Sequence, residues 1–451
     1  MVFHHNKVGV NMGSAIFSRR NKKSDVDVIE NNGRYWEKSY SGHYLSMPTK
    51  ANGVWVLRSA DYANPIGLLY STDGITWTQS NVTEGAYYKL INANGLWVAA
   101  GNSGTGIYYS TDGMTWEQGN ITGGSFSLLA YENGLWVTGG VTSGFWYSSD
   151  GKTWTQSNFT SSESSIGQLK YGGGTWVVTS ASHSSSWGTY YSTDGKTWTQ
   201  SNATPGTCDF LEYHNGAWVM SYSTNSAIWG STDGKVWTQC SDEANKVGSG
   251  DIVFGNDVWV GTCANYSNST QTGFWYSTNG LDWVQSNVTS GSSQDLIYAN
   301  GVWLCRSSDD GSFYSADGKT WESLDINTYA PSYVNGLWIC SSGSYVCYSE
   351  DGKTWTQTGC PCLAMGQTSC ANGVWLRTGY TIMPKDATGI GVFYSTDGKN
   401  WNQADFPLVE QYERIEFNPT SIKNEDGLWV MLDQYEGLYY STLTRQISKS
   451  A

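Results

Sequence analysis

Charged residues are scarce in this sequence, and basic residues are the scarcer kind. Only 14% of its 451 residues are charged, with 25 Lys and Arg against 39 Asp and Glu. Proteins that bind a nucleic-acid backbone neutralise its phosphates with clustered Lys and Arg, so this balance argues against nucleic-acid binding. The chain also lacks any run of roughly 18 apolar residues, so we expect no membrane insertion.

Cysteine is absent from the first two hundred residues, and the N-terminal segment lacks an apolar stretch. All nine cysteines lie between Cys208 and Cys370, and none forms a Cys-x-x-Cys pair. This pattern argues against a disulfide framework or a structural zinc site, so we predict no cofactor and small, buried thiols. Without the apolar core of a secretory signal, we do not expect export by the general pathway.

Aromatic residues, by contrast, are abundant. They make up 15% of the chain, including 24 tryptophans, which is too many for a disordered protein. Asn-Gly-x-Trp occurs ten times when close variants are counted, and Tyr-Ser-x-Asp-Gly-x-x-Trp occurs nine times. The two patterns alternate, and equivalent tryptophans are mostly about 40 residues apart. That period is typical of one propeller blade.

One repeat, residues 126–157, shows how a blade is encoded. It contains four strand-length runs rich in aromatic and β-branched residues. Asn133-Gly134 separates the first two runs, and Asp150-Gly151 separates the last two. Both dipeptides favour tight hairpins, because those turns need positive φ. Each repeat is therefore predicted to be a four-stranded antiparallel meander.

The two tryptophans of each repeat are predicted to be core residues. Burying one removes roughly 150 to 250 Å² from water, a gross gain of ~4 to 6 kcal/mol. A single four-stranded sheet cannot cover them, whereas a stack of blades can. We therefore interpret them as packing between blades and look for ligand contacts elsewhere.

The chain ends complement each other. A strand around Trp36 to Ser39 has no Asn-Gly-x-Trp partner before it, whereas Trp429 is followed by Tyr439-Tyr440-Ser441-Thr442 and no further Asp-Gly turn. The fold class predicted is all-β: a single propeller of about ten four-stranded blades, one of them shared by the two ends. Two five-bladed rings are the alternative, although no half-repeat marks the middle of the chain.

The segment Ser192–Trp198, Ser-Thr-Asp-Gly-Lys-Thr-Trp, resembles the Asp-box, or bacterial neuraminidase repeat, of β-propellers. The resemblance covers residues 30–442. It implies that a Ser and an Asp brace the turn between the third and fourth strands and that the Trp packs between blades. The usual box has one more residue between Asp and Gly, so the turn is expected to differ in detail.

Candidate contact residues lie in the connections that vary in length between repeats, since variable loops on a rigid scaffold often carry recognition. The longest are residues 58–67, 179–188, 261–273 and 377–391. Tyr and Asn suit adaptable binding surfaces and sugar rings. The predicted ligand-binding residues are Asp61, Tyr62, Asn64, His183, Trp187, Tyr222, Tyr266 and Tyr380.

Catalysis is not expected. Asp-box propellers include sialidases, which require an arginine cluster, but none of the eight arginines here lies in an Arg-Ile-Pro motif. A glycoside hydrolase needs two carboxylates ~5 to 10 Å apart, and this alternative stays open. Most aspartates are accounted for as turn residues.

Five Asn-x-Thr sequons follow the fourth strands, beginning at Asn81, Asn120, Asn158, Asn202 and Asn287. N-glycosylation requires a secretory route, for which the sequence gives no sign. We interpret the sequons as a polar loop copied with each repeat.

Residues 1–29 contain neither repeat and are predicted to form an arm, followed by the propeller at 30–445 and a tail at 446–451. The arm is either disordered or a docking segment. Its basic run, Arg19, Arg20, Lys22 and Lys23, would suit an acidic partner.

The near-identical Tyr-Ser-Thr-Asp-Gly-Lys-Thr-Trp-Thr-Gln-Ser-Asn arrays resemble those of tail-associated and surface proteins from phages of gut bacteria. The resemblance implies a non-enzymatic virion protein, made in the host cytoplasm, that binds a host-surface glycan or protein through its loops. Other virion proteins are then expected to hold the arm. A bacterial surface or secreted lectin is the second interpretation, and a glycoside hydrolase is the third.

Overall fold

The computed structural model describes most of the chain. The described residues are 26–30, 36–42, 44–102, 104–140, 143–159, 166–181, 188–203, 207–222, 227–240, 250–262, 273–291, 293–307, 311–343, 345–361, 368–379, 383–384, 391–405, 410–411, 414–415, 419–433, 437–442 and 444–448. Among them, no helix is long and apolar enough to cross a membrane.

Within the described residues, ten four-stranded antiparallel sheets form the blades of one β-propeller. Blade 1 comprises Thr49–Ala51, Val54–Arg58, Leu68–Ser71 and Thr78–Gln79. Blade 2 comprises Tyr87–Ala93, Leu96–Gly101, Ile107–Ser110 and Glu117–Gln118. Blade 3 comprises Leu128–Glu132, Leu135–Gly140, Gly144–Ser148 and Thr155–Gln156. Blade 4 comprises Ile166–Gly172, Thr175–Ser180, Tyr190–Ser192 and Thr199–Gln200. Blade 5 comprises Cys208–His214, Ala217–Tyr222, Ala227–Ser231 and Thr238–Gln239.

The second half of the ring repeats the same plan. Blade 6 comprises Ile252–Gly255, Val258–Thr262, Phe274–Ser277 and Val284–Gln285. Blade 7 comprises Ser293–Ala299, Val302–Ser307, Gly311–Ser315 and Glu322–Leu324. Blade 8 comprises Tyr329–Val334, Leu337–Ser342, Tyr345–Ser349 and Thr356–Pro361. Blade 9 comprises Thr368–Ala371, Val374–Gly379, Gly391–Ser395 and Asn402–Gln403. Blade 10 comprises Pro419–Glu425, Leu428–Asp433, Gly437–Ser441 and the early strand Glu37–Ser41.

Blade 10 closes the ring with strands from both ends of the chain. Its outer strand, Glu37–Ser41, pairs antiparallel with Gly437–Ser441. This confirms the predicted closing strand, which removes two exposed sheet edges.

Two small sheets of the described chain lie outside the blades. Val26–Glu30 pairs with Thr444–Ser448, so described parts of the predicted arm and tail pair with each other. The domain boundaries given above stay a prediction. Met383–Pro384 and Glu410–Gln411 flank Arg414–Ile415 in a three-stranded sheet.

The hairpin between the first two strands of a blade depends on backbone conformation. In blade 2, Asn94 has φ 49° and Gly95 has φ 74°. Positive φ at both positions is the geometry of a two-residue hairpin turn whose twist matches the strands. The Asn-Gly dipeptides thus produce the turns that the sequence predicts.

The second hairpin of a blade is braced by side chains. In blade 9, Ser395 Oγ accepts the N–H of Gly398 (2.9 Å) and donates to Asp397 Oδ1 (2.9 Å). Asp397 Oδ1 also accepts the N–H groups of Lys399 and Asn400 (2.8 and 2.7 Å). Partial burial raises the pKa of Asp397, but these donors lower it more, to about 2. The bracing implied by the Asp-box resemblance is therefore present, whereas membership of that family stays a prediction.

The core lies between neighbouring blades. Trp97 and Trp116 of blade 2 pack against Val56 and Leu68 of blade 1, and Trp97 is 0% exposed. Strand alternation explains this: Trp97 points to the preceding blade, whereas Val98, the next residue, points to the opposite face and packs on Trp136 of blade 3. Each blade thus offers tryptophans on one face and small aliphatic residues on the other.

The packing also shows that there is one ring and not two. Val219 and Ile228 of blade 5 pack against Trp259 of blade 6. Trp55 of blade 1 packs against Val430 of blade 10. Two five-bladed rings would instead join blade 5 to blade 1. First strands of successive blades lie against one another, which puts them at the centre of the ring and the fourth strands at its rim.

An asparagine at the rim joins each of five blades to the next. Asn120 accepts a hydrogen bond from the backbone N–H of Trp154 (2.8 Å) and donates one to its carbonyl (2.8 Å). We call this pair of bonds the asparagine clamp. The same clamp links Asn81 to Trp116, Asn158 to Trp198, Asn202 to Trp237 and Asn287 to Trp321. The five sequon asparagines are thus structural, a role that the copied-loop interpretation missed.

Candidate functional site

The tight turns lie on one face of the ring, and the connections between second and third strands and between blades lie on the other, the loop face. Among the predicted contact residues, only Asp61, Tyr62, Asn64 and Tyr222 are described. Outside the described residues lie His183, Trp187, Tyr266, Tyr380 and the arm residues Arg19, Arg20, Lys22 and Lys23.

The blade 1 loop, residues 59–67, is held in shape by its own polar groups. Asp61 Oδ1 accepts the N–H groups of Ala63 (2.8 Å) and Asn64 (3.1 Å). This carboxylate therefore builds the turn, and it stays partly open to solvent. Asn64 and Tyr62 are exposed on the turn that results.

Three tyrosines lie in or beside this loop, and we call them the tyrosine patch: Tyr44, Tyr62 and Tyr88. Tyr62 is 60% exposed and Tyr44 is 52% exposed. The rings of Tyr62 and Tyr88 are 5.7 Å apart and tilted by 53°. The carbonyl of Tyr44 accepts the N–H of Ala60 (2.8 Å), which ties Tyr44 to the start of the loop. Sequence reasoning found Tyr62 but missed its two neighbours, which lie outside the variable loops.

Tyr44 is also unusual in its backbone. Its φ is 50°, a region that bulky residues rarely adopt. Such strain persists only where the surrounding structure imposes it, and it is common at functional sites. Core packing does not explain why an exposed tyrosine adopts this backbone conformation.

A cation lies beneath the patch. The guanidinium of Arg58 donates a hydrogen bond to the carbonyl of Tyr87. Burial lowers the pKa of Arg58, and interaction with Tyr62 opposes that effect. Partial burial raises the pKa of Tyr62, and so does a hydrogen bond with Tyr88. The patch therefore combines aromatic area, phenolic hydroxyls and a nearby positive charge.

Tyr222 does not belong to a binding surface. It is 1% exposed, and its hydroxyl lies 2.9 Å from Thr189 Oγ1, which is also buried. The prediction of a ligand contact is wrong for this residue, because the strand places its side chain between blades 4 and 5.

A pair of carboxylates lies at the start of the first strands of blades 6 and 7. Asp251 Oδ2 accepts the N–H of Leu296 (3.2 Å), and Asp295 Oδ2 lies 3.1 Å from Nε of Arg306. Asp251 is solvent-exposed as a residue, yet desolvation of its carboxyl raises its pKa, and the charge of Asp295 adds to the rise. Arg306 also lies over the ring of Tyr329, 4.4 Å from its centroid.

Most of the described cysteine side chains lie in the core. Cys208, Cys240, Cys305, Cys340 and Cys347 are buried thiols, as predicted for small apolar residues, whereas Cys370 is only partly buried. In the described part of the chain, no three His, Cys, Asp or Glu residues come together as a metal site would require.

Comparisons with known proteins give structural likeness only. No protein-family model matches the chain, and no curated protein matches it. A computationally designed protein, Ika8, is 10% identical, with 73% of this chain and 99% of that one covered at a TM-score of 0.43. The GH74 enzyme of Niastella koreensis is 14% identical, with 94% and 75% covered at 0.35. YCF48 bound to D1 peptide is 15% identical, with 55% and 87% covered at 0.32. At such values the propeller assignment rests on the chain's own sheet topology.

Proposed function

We propose that this propeller is a recognition protein that binds a surface glycan or protein through its loop face. The observation that carries the proposal is the tyrosine patch: Tyr44 and Tyr62 are more than half exposed, and Tyr44 has a strained backbone. Rigid aromatic side chains supply contact area at low entropic cost, and the Tyr62 and Tyr88 hydroxyls supply hydrogen bonds. Asp61 and Asn64 border the same turn.

Adsorption of the purified protein to candidate host cells and to a glycan array tests this role. Tyr62→Ala is expected to weaken binding about tenfold, the loss of ~1.4 kcal/mol that is common for an aromatic contact residue. Tyr345→Ala is the matched control, because Tyr345 is also exposed, at 40%, but belongs to blade 8. Equal binding by both variants would show that the patch is not the contact surface.

The finer proposal is a phage virion component. The repeat arrays support it, and the basic residues Arg19, Arg20, Lys22 and Lys23 would dock the ring onto an acidic virion protein. Mass spectrometry of purified particles and of the soluble fraction tests the assignment. We expect the chain in particles, and replacing these four residues by Ala should release it. Recovery from the soluble fraction alone would instead favour the bacterial lectin.

A glycoside hydrolase is the second candidate, and the pair Asp251 and Asp295 favours it. Desolvation raises the pKa of Asp251, which suits a general acid, and Asp295 lies 3.1 Å from the guanidinium of Arg306. Release of reducing sugar that disappears in both Asp251→Asn and Asp295→Asn would establish the activity. Activity that survives both changes would remove this pair from consideration.

A further inference from the structure

Two cysteines lie directly opposite each other on neighbouring strands of blade 8. Cys340, on the second strand, is the register partner of Cys347, on the third, and both residues are 0% exposed. Opposed residues of an antiparallel pair have Cα atoms about 4.5 to 5.5 Å apart and side chains on the same face of the sheet. A disulfide bond spans Cα atoms about 4.4 to 6.8 Å apart. The two sulfurs can therefore be joined with little movement of the backbone.

Comparison with the other nine described blades shows that packing does not account for this pair. At the position of Cys347, each of them has a leucine or an aromatic residue: Leu69, Tyr108, Trp146, Tyr190, Trp229, Trp275, Phe313, Phe393 and Tyr439. Blade 7 also has a cysteine on its second strand, Cys305, but that residue lies opposite Phe313. Blade 8 thus places two small thiols where the repeat otherwise places a large side chain. Cysteine is generally retained for its reactivity more than for its packing, which favours a chemical role for the pair.

A buried positive charge acts on both thiols. Arg377 of blade 9 is 0% exposed, and its guanidinium donates hydrogen bonds to Thr368 Oγ1 and to Ser341 Oγ, the latter at 2.8 Å. Ser341 follows Cys340 on the same strand. Within the described part of the chain, Arg377 forms no ion pair with Asp or Glu. A buried cation without an ionised partner is costly, so a thiolate nearby would be favoured.

The two thiols differ in how readily they ionise. Interaction with the Cys340 thiol lowers the pKa of Cys347; burial opposes this effect, and the charge of Arg377 reinforces it. Burial raises the pKa of Cys340 well above its usual value. The thiolate is the nucleophilic form of cysteine, so Cys347 is suited to attack and Cys340 to resolve the product.

We propose that Cys340 and Cys347 are a redox-active pair that a small hydroperoxide converts into a disulfide bond across blade 8. The Cys347 sulfur attacks one oxygen of hydrogen peroxide, the O–O bond breaks, and a sulfenic acid and water are formed. The Cys340 sulfur then displaces the hydroxyl group from the Cys347 sulfur, and this group leaves as water with the Cys340 proton. Both thiols are oxidised, and the peroxide is reduced to water. This site is separate from the tyrosine patch and does not depend on the function proposed above.

Trypsin gives a direct readout, because the peptide of residues 320–353 contains both cysteines and no others. The full-length protein is reduced, freed of reductant and treated with hydrogen peroxide while folded. It is then unfolded, alkylated with iodoacetamide, digested and analysed by mass spectrometry. We expect this peptide to lose two hydrogen atoms and to take up no alkyl group. Oxidised glutathione should react far more slowly than peroxide, because it is too large to reach buried sulfurs without opening of the sheet.

Cys305 is the matched control within the same molecule. It occupies the position of Cys340 in blade 7 and is also 0% exposed, but it lies opposite Phe313 and not opposite a thiol. We expect the blade 8 pair to lose its reactivity towards alkylation at least about tenfold faster than Cys305 does.

Single variants identify the attacking sulfur. In Cys340→Ser, peroxide should leave a sulfenic acid on Cys347, which dimedone traps, because the resolving thiol is missing. In Cys347→Ser, dimedone should label Cys340 at least about tenfold less, since the attacking thiol is missing.

The wild-type measurement decides the proposal without relying on the folding of any variant. It is overturned if peroxide treatment of the folded protein still yields the peptide 320–353 with both cysteines alkylated. It is also overturned if that peptide is linked to the one that contains Cys360 and Cys362, or if Cys305 is oxidised as fast as the pair.

Discussion

Replacing one clamp asparagine should loosen one blade interface by a measurable amount. Asn120→Ala removes two hydrogen bonds of 2.8 Å and leaves the backbone N–H and carbonyl of Trp154 without their partners. A typical intramolecular hydrogen bond contributes ~1 kcal/mol net, and leaving a partly buried group unpaired adds to the loss. We therefore expect the free energy of unfolding to fall by about 2 to 3 kcal/mol. Asn120→Asp should cost a similar amount, since it keeps the acceptor for the N–H but places a carboxylate against the carbonyl.

Hydrogen exchange measures this effect at the interface itself. The amide of Trp154 should exchange roughly 30 to 150 times faster in Asn120→Ala, the factor that 2 to 3 kcal/mol produces. Thr122→Ala is the matched control: it destroys the same sequon, but Thr122 is exposed and is not part of the clamp. If both variants exchange alike and unfold at the same denaturant concentration, the clamp does not stabilise the ring and our reasoning is wrong.

Further predictions concern the core and the braced turns. Trp97→Ala should lower the free energy of unfolding by about 3 to 5 kcal/mol, measured by chemical denaturation, because this indole is 0% exposed. Acid should destabilise the fold: the pKa values of Asp351 and Asp397 fall to about 2, below the usual value of 3.8, so their stabilisation is complete above pH ~4 and is lost as pH falls towards 2. Asp397→Asn should flatten that part of the pH–stability curve, and an unchanged curve would contradict the assignment. Tyr222→Phe should lower the free energy of unfolding by about 1 kcal/mol through its lost hydrogen bond to Thr189, visible in thermal unfolding; no loss would contradict a stabilising bond between the two hydroxyls.

Much of the fold was predictable because every repeat contains the same short-range signals for strands and turns. Asn94-Gly95 marks a turn that needs positive φ at both residues, and this preference acts through adjacent atoms alone. The forty-residue period and the complementary chain ends then sufficed for ten blades and the closing strand Glu37–Ser41. Of the candidate site, Tyr62 was found, since it lies in a loop that varies between repeats. Tyr44 and Tyr88 were not, because they lie outside that loop in the sequence and come next to it only in the folded chain.

Contacts between blades determine the features that the repeat pattern did not predict. Asn120 has the same sequence context as a glycosylation acceptor, and only the approach of Trp154, 34 residues further along the chain, turns it into a clamp. Tyrosine is a common residue of binding surfaces, yet Tyr222 is buried by its neighbours on blade 4. Strand order and turn type are therefore properties of short segments, whereas side-chain burial and the asparagine clamp arise from surfaces that meet only when the ring closes.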